Sequence, residues 1–354
     1  MIQQFTVSRD DSIYEAFPDV ALAADGRLVA VFSECTHHGD RSWTRLALAD
    51  STDRGRTWSP KRVLVDPTKG HPYWNCPRIT ALRDGRLAVI ADLIGTDERS
   101  KDHHLLENYL FLSTDHGRTW SEPRLLPAQG IVPDRLVVTP SGRWLAGCHI
   151  RNPATDFLAV RLWYSDDEGA TWSGPVTVAD QAGLHLCEVS ILPVEGNTLV
   201  ALLRENSGKG WDAYKTISHD GGLTWGAPIA FPIPACHRPV AGWLVNGQAL
   251  ITCRLMQGGK GWVGWWTQNS LAVLTDKESL LAPSREEAHI RIRPLDFDRS
   301  PESDTGYTGW VQFPDGEIYV VNYIMDDAPK AQIRGYALRM EDFVLPTTTR
   351  NWPA

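Results

Sequence analysis

No C-x-x-C pair occurs among the six cysteines, so neither a zinc ribbon nor a dithiol redox site is indicated. No apolar run is long enough to span a bilayer, and Met1 to Asp10 lacks the apolar core of a secretory leader. Read as written, the chain is expected in the cytoplasm, off the membrane, with free thiols. A glycine-rich phosphate loop is missing too, which leaves no nucleotide cofactor to expect, and no other cofactor is called for. Positive charge is not in excess: 35 Lys and Arg face 43 Asp and Glu, for a formal net charge of -8. That excludes nucleic acid as the main partner, because phosphate binding needs a basic field. It leaves room for an acidic substrate held by a local arginine cluster. The ligand-type residues of His37-His38-Gly39-Asp40 and Asp102-His103-His104 do not predict a metal site, since adjacent histidines on an extended chain point to opposite sides.

What is present is a repeat. The pattern S-x-D-x-G-x-T-W occurs at Ser51–Trp58, Ser113–Trp120, Ser165–Trp172 and Ser218–Trp225, with starts 62, 52 and 53 residues apart. A period near fifty marks propellers and arrays. Within each copy the Asp can accept from backbone amides of its own turn, the Gly permits positive φ, and the Trp can bury its rings between strands. The motif therefore reads as a structural turn between the outer two strands of a blade. A second repeat interleaves with it: apolar run, tight turn, apolar run. Its six copies are Phe17–Phe32, Pro77–Ile90, Val132–Cys148, Cys187–Leu203, Pro239–Cys253 and Gly306–Val321. Leu271–Leu280 reads as a decayed fifth box. The expected fold is all-β: a six-bladed β-propeller of four-stranded antiparallel blades, one domain across residues 1–354. Ring closure should pair the strand around Ile2–Val7 with Ile333–Leu338.

The innermost strands of a propeller converge on its axis, and ligands bind at a mouth of the channel. Residues flanking each hairpin are therefore the candidates. Asp19, Asn75, Arg78, Asp134, Arg135, His185, Glu188, His237, Arg238, Asp304 and Tyr307 precede them. Glu34, His37, His38, Asp92, His149, Arg151, Arg204, Glu205, Arg254 and Tyr323 follow them. Apolar strands that repeatedly end in such groups are hard to explain by packing, since a buried charge is costly unless paired.

Four boxes on six blades make the whole chain resemble the sialidase superfamily. The resemblance implies an exo-acting glycoside hydrolase for a carboxylate-bearing sugar, with three arginines on the carboxylate, a tyrosine nucleophile activated by a glutamate, and an aspartate as acid. Glu188 in C-E-V-S-I-L and Arg204 in A-L-L-R-E-N fit the glutamate and one arginine. Tyr307, before V-Q-F-P-D-G, fits the nucleophile. Asp102 is the expected acid, with Asp92 and Asp97 as competitors. The family's R-I-P arginine has no direct counterpart: blade one carries Ala16-Phe17-Pro18, and Arg78 follows Asn75-Cys76-Pro77 in blade two. Arg238 and Arg254 compete for the third arginine, and Arg151, His185 and His237 are further expected substrate contacts.

Two other readings stand beside this one. A polysaccharide lyase cleaving next to a uronic acid, for example a rhamnose-glucuronate lyase, would use a histidine such as His38 or a tyrosine to remove the C5 proton. A non-catalytic glycan-binding propeller would use the stretch Trp262–Trp266, drawn from the chain's fifteen tryptophans, as a stacking platform. In each reading the partner is a glycan, expected to be anionic, and the oligomeric state stays open.

Overall fold

The computed structural model describes residues 2–96, 105–257 and 267–344. Its strands fall into six antiparallel sheets, each built outward from an innermost strand. Blade one runs Tyr14–Leu22, Leu28–His37, Asp40–Ser51 and Arg62–Thr68. Blade four runs Leu186–Glu195, Thr198–Glu205, Asp212–Ser218 and Ile229–Pro234, and blade five Cys236–Trp243, Ala249–Gln257, Thr267–Thr275 and Arg291–Phe297. In blade two the innermost strand is split into Tyr73–Trp74 and Arg78–Ala81, both paired with Leu87–Ile94. Blade six starts at Thr305–Gln312 and closes the ring with the N-terminal strand: Gln3–Ser8 pairs with Gln332–Leu338. The expected fold and its closure are both observed.

Every box makes the same bonds. In the first, the Ser51 hydroxyl donates to Asp53 at 2.8 Å and accepts from the Gly55 N–H at 2.8 Å. Asp53 also accepts from the Thr57 N–H at 2.9 Å and hydroxyl at 2.6 Å. The Thr57 hydroxyl and amide, against slight burial, hold the Asp53 carboxyl down at about 2. Asp115, Asp167 and Asp220 repeat the arrangement. Gly55 sits at φ 82° with the Tyr319 ring where a Cβ would go, 2.2 Å from the nearest ring atom, so glycine is obligatory there. The expected decayed box of blade five is different in kind. Asp276 caps a short helix, Lys277–Leu281, accepting from the Ser279 N–H at 2.9 Å.

One device recurs at the axis. The innermost strands bulge at the same height, with register breaks between Ala16 and Asp19, Cys187 and Ser190, His237 and Val240, and Gly306 and Gly309. The bulged residues Phe17, Glu188, Arg238 and Tyr307 all have positive φ, and Val132 does so in blade three. Just beyond them, Asp19 accepts from the Ile79 N–H at 3.0 Å and Asp134 from the Ile191 N–H at 2.7 Å, tying blade one to blade two and blade three to blade four.

Candidate active site

A cavity of about 830 Å³ opens at the end of the channel where the innermost strands begin. The bulges of blades four and six put Glu188 and Tyr307 at its floor, both buried. Backbone at φ 44° and φ 53° is costly for these residue types, on the order of 1–3 kcal/mol each, and such strain is retained where side-chain aim matters. Gly306, at φ 116°, makes the approach possible: a Cβ there would lie 2.5 Å from Arg254 Cβ.

The Tyr307 hydroxyl donates to Glu188 Oε1. The same oxygen accepts from Arg204 Nη1 at 2.6 Å, and Oε2 accepts from the Arg238 backbone N–H at 2.9 Å. Burial pushes the Glu188 carboxyl up, but Arg204, Arg254 and the tyrosine hydrogen bond outweigh it and hold the group at about 2. Burial and the Glu188 charge raise the Tyr307 phenol well above its ordinary range. The resting pair is therefore a neutral tyrosine poised on a carboxylate. His149 is pushed down to about 4 by burial and the nearby arginines, so it is neutral, and its Nδ1 accepts the Glu188 N–H at 3.4 Å.

Among the described residues three arginines line the cavity: Arg41, Arg204 and Arg254. The Arg254 guanidinium lies 5.2 Å from the Tyr307 ring centroid and donates to Gln268 at 3.2 Å. Arg41 lies 5.0 Å from the Phe17 ring and 5.8 Å from that of Tyr73. At the rim, His38 Nδ1 meets Asp304 Oδ2 at 2.5 Å. Asp304 also accepts from the hydroxyls of Tyr14 and Tyr323. Burial raises its carboxyl, yet His38, Arg254 and Tyr14 bring it to about 2.

A family model described as a BNR repeat-like domain matches residues 26–320. The chain belongs to that family. It is 26% identical over 242 residues to a sialidase of Paraclostridium sordellii, covering 60% of this chain and 57% of that one. The chain spans less than two thirds of the length of the curated relatives it matches. A Dyadobacter fermentans protein of unknown function superposes with TM-score 0.76 at 20% identity, covering 96% of this chain and 99% of that one. An α-L-arabinofuranosidase of Fusarium graminearum does so at 0.66 and 14%, covering 96% and 98%. Such likenesses establish the fold, that of the sialidase-superfamily BNR propellers.

Within this BNR propeller the expected site residues divide. Tyr307, Glu188, Arg204, Arg254 and His38 meet at one cavity. Arg78 and Arg238, expected on substrate, lie elsewhere. Arg78 donates to the Thr308 carbonyl at 3.1 Å and pairs with Asp19 at 3.3 Å. Arg238 reaches the Pro133 carbonyl at 2.6 Å. Both are fully buried and fill the axis beyond the cavity, because carbonyls freed by the bulges need donors there. Arg151 is held by the Asp156 carbonyl at 2.8 Å, and the His185 Nδ1 accepts the Leu158 N–H at 3.3 Å; neither lines the cavity. His237 sits one layer behind, its Nδ1 accepting from Arg254 Nη2 at 3.1 Å. Asp92 is a buried staple that accepts from the Asn75 side chain and the Val132 N–H, at 3.0 and 2.9 Å. Asp97, Asp102 and the stretch 262–266 lie outside the described residues.

Sequence reasoning missed Arg41, Asn206 and Gln268. Each lies past a strand end or on a third strand, outside the residues that flank the inner hairpins in sequence. For Arg41, the available signal was the long hairpin that carries blade one past His37.

Proposed function

We propose that the protein is an exo-acting glycoside hydrolase of sialidase type, acting on the terminal unit of a glycan whose sugar carries a carboxylate. The observation that carries this reading is the Tyr307–Glu188 pair set among Arg41, Arg204 and Arg254 at the floor of one cavity. A neutral phenol approaches an anionic sugar without charge repulsion, which a carboxylate nucleophile would not. As the Tyr307 oxygen bonds to the anomeric carbon, its proton passes to Glu188 Oε1. At rest Glu188 is a weak base because Arg204 and Arg254 hold it low. A substrate carboxylate on those arginines offsets their field and raises the basicity of Glu188 at the moment of need. The axis beyond the site is filled by Arg78 and Arg238, so the cavity is a dead end suited to a chain terminus.

Elimination has less support. It needs a base poised over a C5 proton, whereas the tyrosine here already has its own carboxylate partner, and the relatives matched over half of this chain are named sialidases. A panel of sialyl, Kdo-type, arabinofuranosyl and rhamnosyl-glucuronate substrates tests the proposal, following sugar release beside the absorbance of an unsaturated uronate. Release from an acidic glycoside without the absorbance is the expected result. An absorbance rise, or turnover of the arabinofuranoside alone, overturns the reading.

A further inference from the structure

The proposed reading leaves the leaving group without a described proton donor. Among the described residues the cavity carries two acidic side chains besides Glu188, namely Glu302 and Asp304. Asp304 is surrounded by donors: Tyr14, Tyr323 and His38 bond it, and Arg254 lies 3.7 Å away. A carboxylate so satisfied keeps its charge and has no proton to give. The imidazole it holds is placed differently. His38 stands at the tip of the blade-one hairpin, with its side chain 42% exposed at the cavity mouth. Asp304 fixes Nδ1 as the donor atom facing it, and no described residue hydrogen-bonds Nε2. Phe17 lies between the two reactive parts of the site, its ring centroid 5.4 Å from that of His38 and 5.0 Å from that of Tyr307. With the sugar on Tyr307 at the floor, the departing aglycone points to the mouth, where His38 is.

We infer that His38, oriented by Asp304, is the general acid and base of this site, a step that rests on the hydrolase reading above. In the first half-reaction the Nε2 proton of the imidazolium passes to the glycosidic oxygen, which takes the electron pair of the breaking C–O bond. Tyr307 oxygen bonds to the anomeric carbon and its proton goes to Glu188. In the second, neutral His38 takes a proton from water as the water oxygen attacks that carbon. The bond to Tyr307 breaks and its oxygen recovers the proton from Glu188. Asp304 is a positioning residue, and it is itself held by its loop: Asp298 accepts the N–H groups of Ser300, Asp304 and Asp326 at 2.9 Å each.

The test compares His38→Gln, Asp102→Asn and wild type on para-nitrophenyl sialoside, whose leaving group needs no proton, and on sialyllactose, whose leaving group does. His38→Gln is expected to lose about 10²- to 10⁴-fold in kcat/KM on sialyllactose, whereas on the aryl substrate the loss falls on kcat, because the first half-reaction there needs no proton but the base that activates water is gone. Asp304→Asn should lose selectively on sialyllactose in the same way, and Asp304→Glu should recover part of that loss, since the carboxylate that orients the imidazole through Nδ1 is removed in one and kept in the other. Equal losses of kcat/KM on both substrates, or a selective loss in Asp102→Asn instead, overturn the assignment while leaving the hydrolase reading intact. A wild type that turns over neither sialoside removes the hydrolase reading in this form and the inference with it.

Discussion

Replacing Glu188 by glutamine separates its two roles, because both follow from one set of bonds. The carboxylate receives three donors: the Tyr307 hydroxyl and Arg204 on Oε1, and the Arg238 N–H on Oε2. An amide offers only one acceptor atom. With its nitrogen at the Oε1 position it faces a guanidinium; turned the other way, it faces a backbone N–H. Either orientation leaves a buried donor unmatched, a loss of about 1–3 kcal/mol. The charge has a separate effect. Glu188 is held at about 2 against the usual 4.5, which corresponds to about 3 kcal/mol of stabilisation at neutral pH. Since the folded value lies below the unfolded one, that contribution is full above the usual range and fades as pH falls toward about 2. Urea denaturation should therefore show the variant less stable at neutral pH by a few kcal/mol, with the gap narrowing toward about pH 3.5. Hydrolysis should fall by about 10²- to 10⁴-fold with the loss of the base. A stability gap that does not change with pH refutes the electrostatic account, and activity within about threefold of wild type refutes the role as base.

Other substitutions test the remaining assignments. Tyr307→Phe should abolish turnover and leave the melting temperature nearly unchanged, because Arg204 still satisfies Glu188 Oε1; substantial residual turnover would remove the nucleophile assignment. Arg254→Lys keeps the charge but loses the planar fork, so KM for an acidic glycoside should rise about tenfold or more while a methyl-ester analogue is little affected; equal effects on both would deny a carboxylate contact. Arg78→Met should lower stability by about 3 kcal/mol, with kcat/KM per folded molecule unchanged, since its partners are the Thr308 carbonyl and Asp19 and not the cavity; a selective rise in KM would restore it to the substrate. Gly55→Ala should cost several times more than Gly26→Ala in denaturant melts: both have φ near 85°, but only Gly55 has a ring in the place of its Cβ, and equal costs would contradict the packing.

The fold was legible because its signals are local. A box needs only its own eight residues to close its bonds, and a hairpin declares itself through alternation and a turn glycine such as Gly26, Gly85 or Gly316. Blade count and ring closure followed. The fifth box was not legible, since Thr275-Asp276 preserves part of the pattern while Asp276 had switched from closing a turn to capping a helix, and the two uses of an aspartate look alike in sequence.

The site was legible only along the strands. Glu188, Arg204 and Tyr307 stand in recognisable frames, and the geometry that unites them comes from bulges at a common height. A bulge also explains the failures. One residue of displacement decides whether a side chain turns toward the mouth or along the axis, and sequence gives both kinds of arginine the same apolar flanks. Arg78 and Arg254 thus read alike, yet one is consumed by carbonyls that neighbouring bulges leave open and the other reaches the cavity. Arg41 shows the converse. Blade one has Phe17 at the bulge where the resemblance implies an arginine, and a guanidinium arrives over that ring from the neighbouring hairpin. A positive charge at that place can be supplied from either side of the blade, so the chemistry of the cavity constrains the charge more tightly than it constrains the strand that carries it.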